Sequence, residues 1–380
     1  MLSKCKNICF FFVSLQKILT MSKILVTGGT GFIGSHTVVE LQNSGFEVVI
    51  ADDLSNSSEN VVEQITAITK KKPVFELVDL ANEDACKKLF AKHSDIVGVI
   101  HFAANKAVGE SVEKPLLYYK NNLGSLLNVL ENMALHNIKS IVFSSSCTVY
   151  GQPKTLPVNE QCPLQPAESP YGNTKQISEE ILSDTTKVTS IHAIALRYFN
   201  PIGAHETAMI GELPIGVPNN LMPFITQTAA GIREKLSVFG NDYNTPDGTC
   251  IRDYIHVVDL SKAHVVALNR TLKKIEGGHA GPPIQKHVGA DLCVCPKGSI
   301  EFFNVGTGNG FSVLEVIKSF EKTSGLKLNY QIVDRRAGDI EQIWADPKFA
   351  NEELGWKAEK SLDEMTLSAW NWQKKLSKIA

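Results

Sequence analysis

Two side chains that could exchange a proton with a hydroxyl group lie four residues apart in the segment Tyr171-Gly172-Asn173-Thr174-Lys175. If this segment is helical, the phenol and the ammonium lie on one face, one turn apart. The ordinary pKa of a tyrosine is about 10, and a neighbouring cation lowers it. The pair could therefore act as a general base on a sugar or alcohol. The same spacing occurs by chance on many surface helices, so the interpretation needs support from other segments.

Further support comes from three consecutive serines and from a glycine-rich segment. Ser144 to Ser146 end an apolar run 25 residues before Tyr171. Near the N-terminus, Thr27 to Gly34 follow a short β-like run and precede a stretch with helical spacing, Ser35 to Leu41. Strand, glycine turn and helix is the context that a dinucleotide-binding motif requires. The glycines would let the backbone approach a pyrophosphate, which the helix N-terminus would bind.

Two carboxylates follow the next apolar run and indicate which dinucleotide is bound. Asp52 and Asp53 end the run that begins at Phe46. A carboxylate here would bind the two hydroxyls of an adenine ribose and repel a 2′-phosphate, which favours NAD over NADP. A purely structural glycine turn would leave Asp52 unexplained. The sequence therefore predicts an NAD site.

Composition limits the partners. The 380 residues are 43% hydrophobic and 21% charged, with a formal net charge of −2. We therefore expect no broad attraction to nucleic acid or to an anionic membrane, and no apolar run approaches the length of a spanning helix. A phosphate-bearing small molecule would need a local arginine site instead.

The eight cysteines show no regular framework, which favours a reducing compartment and thus the cytoplasm. Cys293-Val294-Cys295, with His279 and His287 upstream, matches none of the usual structural zinc spacings. We therefore expect no metal. Residues 1–20 contain lysines, no acid and one short apolar run, and lack a clear cleavage site. We expect them to be a disordered leader or the product of an upstream start.

The order of the apolar runs predicts the architecture. Between residues 21 and 200, β-like runs alternate with helical stretches, which is typical of a Rossmann-type doubly wound parallel sheet in an α/β protein. Beyond Asn200, glycines and prolines break this rhythm. We expect a smaller mixed α/β substrate-binding domain over residues 201–376, with an inserted loop at 276–298 and with some later segments packing back on the sheet.

With these motifs in place, the chain resembles the sugar-nucleotide 4-epimerases of the extended short-chain dehydrogenase/reductase family over about residues 22–375. The matching segments are Val26–His36, His101–Ala104, Lys106–Val112, Phe143–Gly151, Ser169–Lys175, Leu196–His205, Pro218–Pro223, Phe239–Tyr243, Arg252–Val257 and Trp344–Asp346. The first and fourth of these segments are shared widely in that family, and the others, in this order, point to the 4-epimerases.

The resemblance implies reversible epimerisation of UDP-galactose and UDP-glucose at C4, through a 4-keto sugar, on one tightly held NAD. Tyr171 would take the proton from the sugar 4-hydroxyl. Lys175 would bind the nicotinamide ribose and keep Tyr171 acidic, and Ser146 would hydrogen-bond the 4-oxygen and relay the proton. It also implies a homodimer through the two long helices that begin near Tyr118 and Tyr171.

By the same resemblance, two further sets of residues would bind the ligands. The cofactor would contact Gly28, Gly31, Phe32, Ile33, Gly34, Asp52, Asp53, Asp79, Leu80, Phe102, Ala103, Lys106, Asn121, Ser144, Tyr171, Lys175 and Phe199. The UDP-sugar would contact Lys106, Ser146, Tyr171, Asn200, Asn220, Leu221, Ser237, Val238, Phe239, Arg252, Tyr254, Arg336 and Asp339.

Alternatives differ in how well they fit. A 4,6-dehydratase would need an acid and a base after the serines, where this chain has Cys147 and Thr148. Another NAD-dependent epimerase or a decarboxylase of the same family stays open. A silent NAD-binding regulator usually lacks the tyrosine or the lysine, and both are present here.

Ile343 occupies a position where the family has either a bulky tyrosine or a small residue that admits N-acetylated sugars, so UDP-GalNAc and UDP-GlcNAc also stay open as substrates.

Overall fold

The structure is a computed structural model that describes residues 22–277, 297–336 and 339–379. The expected leader and residues 278–296 of the expected insertion, including its cysteines and histidines, lie outside the described residues. Among the described residues the strands are β1 (Lys23–Thr27), β2 (Glu47–Asp52), β3 (Val74–Leu77), β4 (Ile96–His101), β5 (Ser140–Ser144), β6 (His192–Tyr198), β7 (Asn200–Ile202), β8 (Leu236–Phe239), β9 (Ile251–His256), β10 (Ser299–Val305), β11 (Gly310–Ser312), β12 (Tyr330–Val333) and β13 (Gln342–Ile343).

The helices include two long ones at the positions that the sequence predicts. In chain order the α-helices of the described residues are α1 (Phe32–Asn43), α2 (Asn60–Thr69), α3 (Glu83–Lys92), α4 (Val108–Glu113), α5 (Pro115–Leu135), α6 (Pro170–Val188), α7 (Leu221–Ala229), α8 (Val257–Gly277), α9 (Val313–Ser324) and α10 (Leu362–Ser377). A 3₁₀ turn spans Cys147–Tyr150. None of the described helices combines the length and the apolar character needed to cross a bilayer.

Seven parallel strands form the central sheet in the order β10-β6-β5-β4-β1-β2-β3. Its inner strands are apolar on both faces, as a sheet covered on both sides requires. In β1, Ile24 and Val26 belong to a hydrophobic core shared with α1, α2 and α8, whereas Leu25 belongs to a core shared with α3 and α5. The order reverses between β1 and β4, and a crevice opens there at the carboxyl ends of the strands. The predicted doubly wound sheet is confirmed.

Two segments from the second half of the chain pack back on this sheet. Strand β10 pairs with β6 in parallel and forms one edge, while α8 packs against α1, β5 and β6. The rest of the second half forms a smaller mixed region. There β8 pairs with β12, and β9 pairs with β7, β11 and β13. The sequence predicts that the first domain ends at residue 200. In the structure, strands from both sides of that boundary belong to one sheet.

Candidate active site

The glycine turn after β1 is shaped by close backbone approaches. Gly28 has a φ of +66°, and a Cβ there would lie 2.9 Å from the amide nitrogen of Ala103 at the end of β4. A Cβ on Gly34 would collide with the carbonyl oxygen of Gly28. Helix α1 begins directly after Gly31, and no side chain caps it. Its first-turn N–H groups therefore point to a phosphate group as their partner.

Asp52 is the acid at the end of β2, and three donors hold its carboxylate in place. Oδ2 accepts from the backbone N–H of Thr30 at 3.1 Å, and Oδ1 accepts from the Leu54 N–H at 3.0 Å and from the Ser57 hydroxyl at 3.1 Å. Of the two predicted acids, Asp52 is the buried one, whereas Asp53 is exposed on the rim and accepts from the Ser55 N–H and hydroxyl.

An open cleft runs along the carboxyl ends of β1, β2, β4 and β5. All of the predicted cofactor residues except Phe199 line it. The side chain of Phe199 instead packs in a hydrophobic cluster with Val149 and Tyr150, and its neighbour Tyr198 lines the cleft. Because consecutive residues of a strand point to opposite faces, only one of the pair can face the cleft. The uncapped helix, the glycine turn and Asp52 all fit a dinucleotide.

The three predicted catalytic residues come together where the cleft passes β5. Tyr171 and Lys175 lie on α6, which begins with a Ser169 cap whose hydroxyl accepts from the Gly172 N–H at 3.2 Å. The Lys175 Nζ donates to the Ser144 carbonyl at 2.7 Å and lies 5.8 Å from the centre of the Tyr171 ring. The Ser146 hydroxyl is close enough to the Tyr171 phenol to lower its pKa, against the larger rise that burial causes. All three catalytic side chains are more than nine-tenths buried.

Burial changes the protonation expected for this pair. The pKa of Tyr171 is raised, mainly by burial and then by the neighbouring Tyr198, while the nearby Ser146 hydroxyl lowers it. Burial lowers the pKa of Lys175 to about 8, and the Glu179 carboxylate opposes that change. The expectation that Lys175 makes the phenol acidic is therefore not met by the protein groups alone. A positive ligand ring beside the phenol would act in the required direction.

Sequence reasoning missed Asn122, which fixes the loop next to Lys106. Its Oδ1 accepts from the Asn105 N–H at 2.8 Å, and its Nδ2 donates to the Asn105 carbonyl at 3.0 Å and to the Thr174 hydroxyl at 3.2 Å. One amide thus joins the β4 loop, α5 and α6. The sequence shows only two adjacent asparagines, Asn121 and Asn122. Helix rotation decides that the first lines the cleft and the second is buried behind it.

Three of the predicted UDP-binding residues come together from distant parts of the chain. The Arg336 Nη2 donates to the Asp339 carboxylate at 2.6 Å, and the Arg336 guanidinium lies 5.5 Å from the centre of the Phe239 ring. Pairing of β8 with β12 brings these residues together. Ser237 and Phe239 are accessible, but Val238 between them is 1% exposed and faces the core. The Val238 side chain therefore faces away from the side on which Ser237 and Phe239 are accessible, because alternate residues of a strand face opposite sides.

Other predicted substrate residues lie along β7, β9 and the start of α7. Asn200 pairs in register with Tyr254, whose side chain is 3% exposed and packs in the core rather than in an open site. The Arg252 Nη1 donates to the Ile251 carbonyl at 2.9 Å. Asn220 precedes Leu221, the first residue of α7.

A carboxylate that the sequence did not single out connects two predicted ligand-binding residues. The Asn220 Nδ2 donates to Glu212 Oε1 at 2.6 Å, and the Lys106 Nζ lies 3.7 Å from the same oxygen. Nothing in the sequence spacing marks Glu212, because it lies in a loop with no periodicity. Ile343, the residue expected to affect the size of the sugar site, is 2% exposed and packs in the cluster with Phe199. The described residues contain no group of three or more His, Cys, Asp or Glu side chains that could hold a metal ion.

Known proteins are similar to this chain over nearly its whole length. A family model described as GDP-mannose 4,6 dehydratase matches residues 25–368. The chain is 50% identical to the UDP-glucose 4-epimerase of Bacillus subtilis over 92% of this chain and 96% of that protein. It is 46% identical to the UDP-glucose 4-epimerase of Mus musculus over 93% of this chain and 97% of that protein.

A solved structure has the same fold. The UDP-glucose 4-epimerase of Bifidobacterium longum, crystallised in complex with NAD⁺ and UDP, superposes with a TM-score of 0.84 at 44% identity. The match covers 94% of this chain and all of that chain. The fold and the cofactor cleft described above are thus those of a group of proteins whose members bind a dinucleotide and a UDP moiety.

Proposed function

The chain belongs to the UDP-glucose 4-epimerases of the extended short-chain dehydrogenase/reductase family, and on that premise we propose that it interconverts UDP-galactose and UDP-glucose at C4, in galactose metabolism. The observation that carries the proposal is the meeting of Tyr171, Lys175 and Ser146 in one buried corner of a dinucleotide-binding cleft. Such a corner can move a proton on a sugar hydroxyl while excluding water.

The cleft residues would hold NAD, which would supply a hydride acceptor for the sugar C4 and a hydride donor for the resulting 4-keto sugar. Gly28, Gly34 and the first turn of α1 hold the pyrophosphate, and Asp52 holds the adenine ribose. Each role follows from the close backbone approach, the uncapped helix and the three donors that fix the Asp52 carboxylate.

Tyr171 takes the proton from the sugar 4-hydroxyl and later gives it back. Its phenol lies close to Ser146, which relays the proton and holds the 4-oxygen. Lys175 binds the nicotinamide ribose and contributes a positive charge beside the Tyr171 ring. Burial favours the neutral phenol, so Tyr171 would act as a base only after losing its own proton, and a positive ligand ring beside it would favour that loss.

The UDP moiety is held by residues at the other end of the site. Asp339 and Phe239 bind the uridine side, and Arg336 and Arg252, with Asn200 and Asn220, bind the diphosphate, because a guanidinium matches phosphate oxygens. Lys106 lies between the two ligands. UDP-GalNAc and UDP-GlcNAc are second candidate substrates, because Ile343 leaves more room than a tyrosine would. Other NAD-dependent conversions of nucleotide sugars in this family are the alternative.

The test supplies UDP-galactose to the purified protein and measures UDP-glucose with a coupled dehydrogenase. We expect steady product formation that depends on protein concentration. Absence of product from protein whose NAD content is stoichiometric would reject the proposal. Substituting UDP-GalNAc in the same assay, with separation of the products by chromatography, tests the second candidate.

We also propose a homodimer that forms through α5 and α6. Leu116, Leu117 and Leu127 on α5 are 71%, 46% and 44% exposed, and Val112 on the preceding α4 is 61% exposed. Apolar side chains exposed together on one region are typical of an interface. Light scattering should give twice the chain mass, and Leu127→Glu should shift it toward one chain mass. A monomer in the unsubstituted protein would remove this proposal.

The cytoplasm is the compartment we propose, because the described cysteines Cys86, Cys147, Cys162 and Cys250 are all free thiols. Fractionation of cells that express the full chain, followed by detection with an antibody, tests this. Recovery in a secreted or organellar fraction would overturn it.

A further inference from the structure

A buried ion pair lies directly behind the catalytic corner. The Arg197 Nη2 donates to Glu179 Oε2 at 2.6 Å, and the Arg197 Nε donates to Oε1 at 2.9 Å. The two side chains are only 6% and 4% exposed. Burying two charges costs as much free energy as their attraction returns, so such a pair is seldom explained by stability alone. Its neighbours indicate another role.

On one side, the pair holds the serine turn that serves the catalytic residues. The Ser145 hydroxyl donates to Glu179 Oε1 at 2.6 Å. Ser145 lies between Ser144, whose carbonyl accepts from Lys175, and Ser146, whose hydroxyl is close enough to the Tyr171 phenol to oppose the rise in its pKa that burial causes. A carboxylate fixed by two guanidinium bonds thus anchors the middle residue of a turn whose two neighbours contact the catalytic pair.

On the other side, the pair is linked to the segments around Val158 and Ala345. The Arg197 Nη1 donates to the Tyr150 hydroxyl at 3.0 Å, and that hydroxyl donates to Asn304 Oδ1 at 2.7 Å. The Asn304 Nδ2 donates to the Val158 carbonyl at 2.8 Å, and Val158 pairs with Ala345. An unbroken series of buried hydrogen bonds therefore leads away from the serine turn.

Glu179 also acts on the charge of Lys175, from one helical turn away on α6. Burial lowers the pKa of Lys175 to about 8, and Glu179 is the group that raises it. The other groups that face Lys175 are the Tyr171 and Phe143 rings and the His101 imidazole. The pKa of His101 is lowered to about 3, so it is neutral at physiological pH. Among the described groups, Glu179 is the anion that favours a charged Lys175.

We propose that Glu179 is a positioning residue of the epimerase reaction, which acts through Lys175 and the Ser144–Ser146 turn, and that Arg197 holds its carboxylate in that orientation. This inference rests on the proposed function. It assigns the buried pair to catalysis, although neither side chain is among the residues that line the cleft.

Glu179→Gln is the main test, because glutamine keeps an oxygen for Ser145 and removes the charge. The positively charged Lys175 is the form that the reaction uses, so activity falls as the pH rises through the pKa of Lys175. Without Glu179 that pKa is lower. We expect the alkaline limb of the kcat profile to move down by about one pH unit or more, with the greatest loss above pH 8 and recovery near pH 6. The ¹³C shift of the Lys175 Cε should titrate at the lower pH as well.

Three further variants keep the test decisive. If the single variant does not fold, the double variant Glu179→Gln with Arg197→Gln removes both buried charges. The alkaline limb of its kcat profile should still move to lower pH. Ser145→Ala keeps both charges. We therefore expect kcat to fall by about ten-fold at every pH, while the alkaline limb of the kcat profile stays at the wild-type pH. Glu301→Gln is the matched control, because Glu301 is held by Arg270 in the same way, with bonds of 2.8 to 3.3 Å on the edge strand β10. Its profile should keep the wild-type shape.

The outcomes separate the two proposals. Wild-type protein that forms no UDP-glucose would reject the proposed function. Active wild-type protein, with a Glu179→Gln profile that is only scaled down equally at all pH values, would overturn the role of Glu179 at Lys175. Wild-type kcat in Ser145→Ala would overturn its role at the serine turn.

Discussion

The two ends of the site are built in opposite ways. At the catalytic end, Tyr171, Lys175 and Ser146 are 8%, 4% and 6% exposed, and their polar atoms are held by buried neighbours. At the uridine end, Phe239 is 40% exposed, and the Arg336 side chain is 57% exposed and pairs with Asp339. The side chains at the catalytic end are held in position before a ligand binds. Those at the uridine end are more accessible and contact one another.

The difference reflects what each end has to do. Proton transfer needs fixed geometry and a low dielectric, in which burial shifts the pKa of the reacting groups. Holding a nucleotide diphosphate needs a charge that can change its partner, and an exposed arginine paired with a carboxylate does this at small cost in free energy. We therefore expect substitutions at the catalytic end to reduce turnover, and substitutions at the uridine end to weaken binding.

The largest effect is expected from Tyr171→Phe, which removes one oxygen from the buried end. We expect kcat to fall about a thousand-fold or more, since a positioned acid–base group contributes about 10² to 10⁴ in rate. NAD content, measured by release and absorbance, should stay at the wild-type level. Tyr330→Phe, at an exposed position on β12, is the matched control and should keep normal turnover. Normal rates in Tyr171→Phe would show that the proton goes elsewhere.

Asp52→Asn tests the buried end on its cofactor side. Asparagine removes the charge and cannot accept equally from Thr30, Leu54 and Ser57, which orient the carboxylate. We expect NAD affinity, measured by calorimetry on the apoprotein, to fall by about 10- to 100-fold, as for the loss of hydrogen bonds to a charged group. Asp53→Asn, at the exposed neighbour, should have a smaller effect. An equal loss for both variants would mean that burial does not distinguish the two acids.

Arg336→Ala tests the accessible end. We expect the KM for UDP-galactose to rise by about ten-fold while kcat stays within about three-fold, because a contact that is equal in ground state and transition state affects binding alone. Arg335→Ala is a close control, since Arg335 is bound to Asp242 at 2.7 Å and lies over the Tyr243 ring. A fall in kcat in Arg336→Ala as large as that in Tyr171→Phe would remove the contrast between the two ends.

The smallest effect is expected at Ile343, between the two ends. Ile343→Gly removes a side chain that is 2% exposed and fills the cluster with Phe199. We expect the ratio of kcat/KM for UDP-GalNAc over UDP-galactose to rise by about three- to ten-fold, the range for a change of a few methylene groups in a pocket. Ile343→Leu, which conserves volume, should leave the ratio unchanged. An unchanged ratio in Ile343→Gly would show that this position does not limit the size of the sugar.

Much of the cofactor half was predictable because its signals are local. The strand, glycine turn and helix from Lys23 to Asn43, with the acid at Asp52, occupy adjacent segments, and each signal has one physical cause. The return of β10 and α8 to the sheet was not predictable in position, because parallel pairing between Ser299–Val305 and His192–Tyr198 joins segments about a hundred residues apart. The roles of Glu179, Asn122 and Glu212 depend on contacts between separate elements, which residue spacing does not show.

The sequence by itself determined that this protein has a parallel sheet with a dinucleotide turn, and that a tyrosine and a lysine lie one turn apart on a helix beside three serines. These features follow from residue spacing, because the periods of helix and strand are fixed by backbone geometry. Only the tertiary structure decided which side chains are buried and which are accessible, and therefore that burial raises the pKa of Tyr171 and lowers that of Lys175. Desolvation depends on all of the elements packed around a group, and no local pattern of residues contains that information.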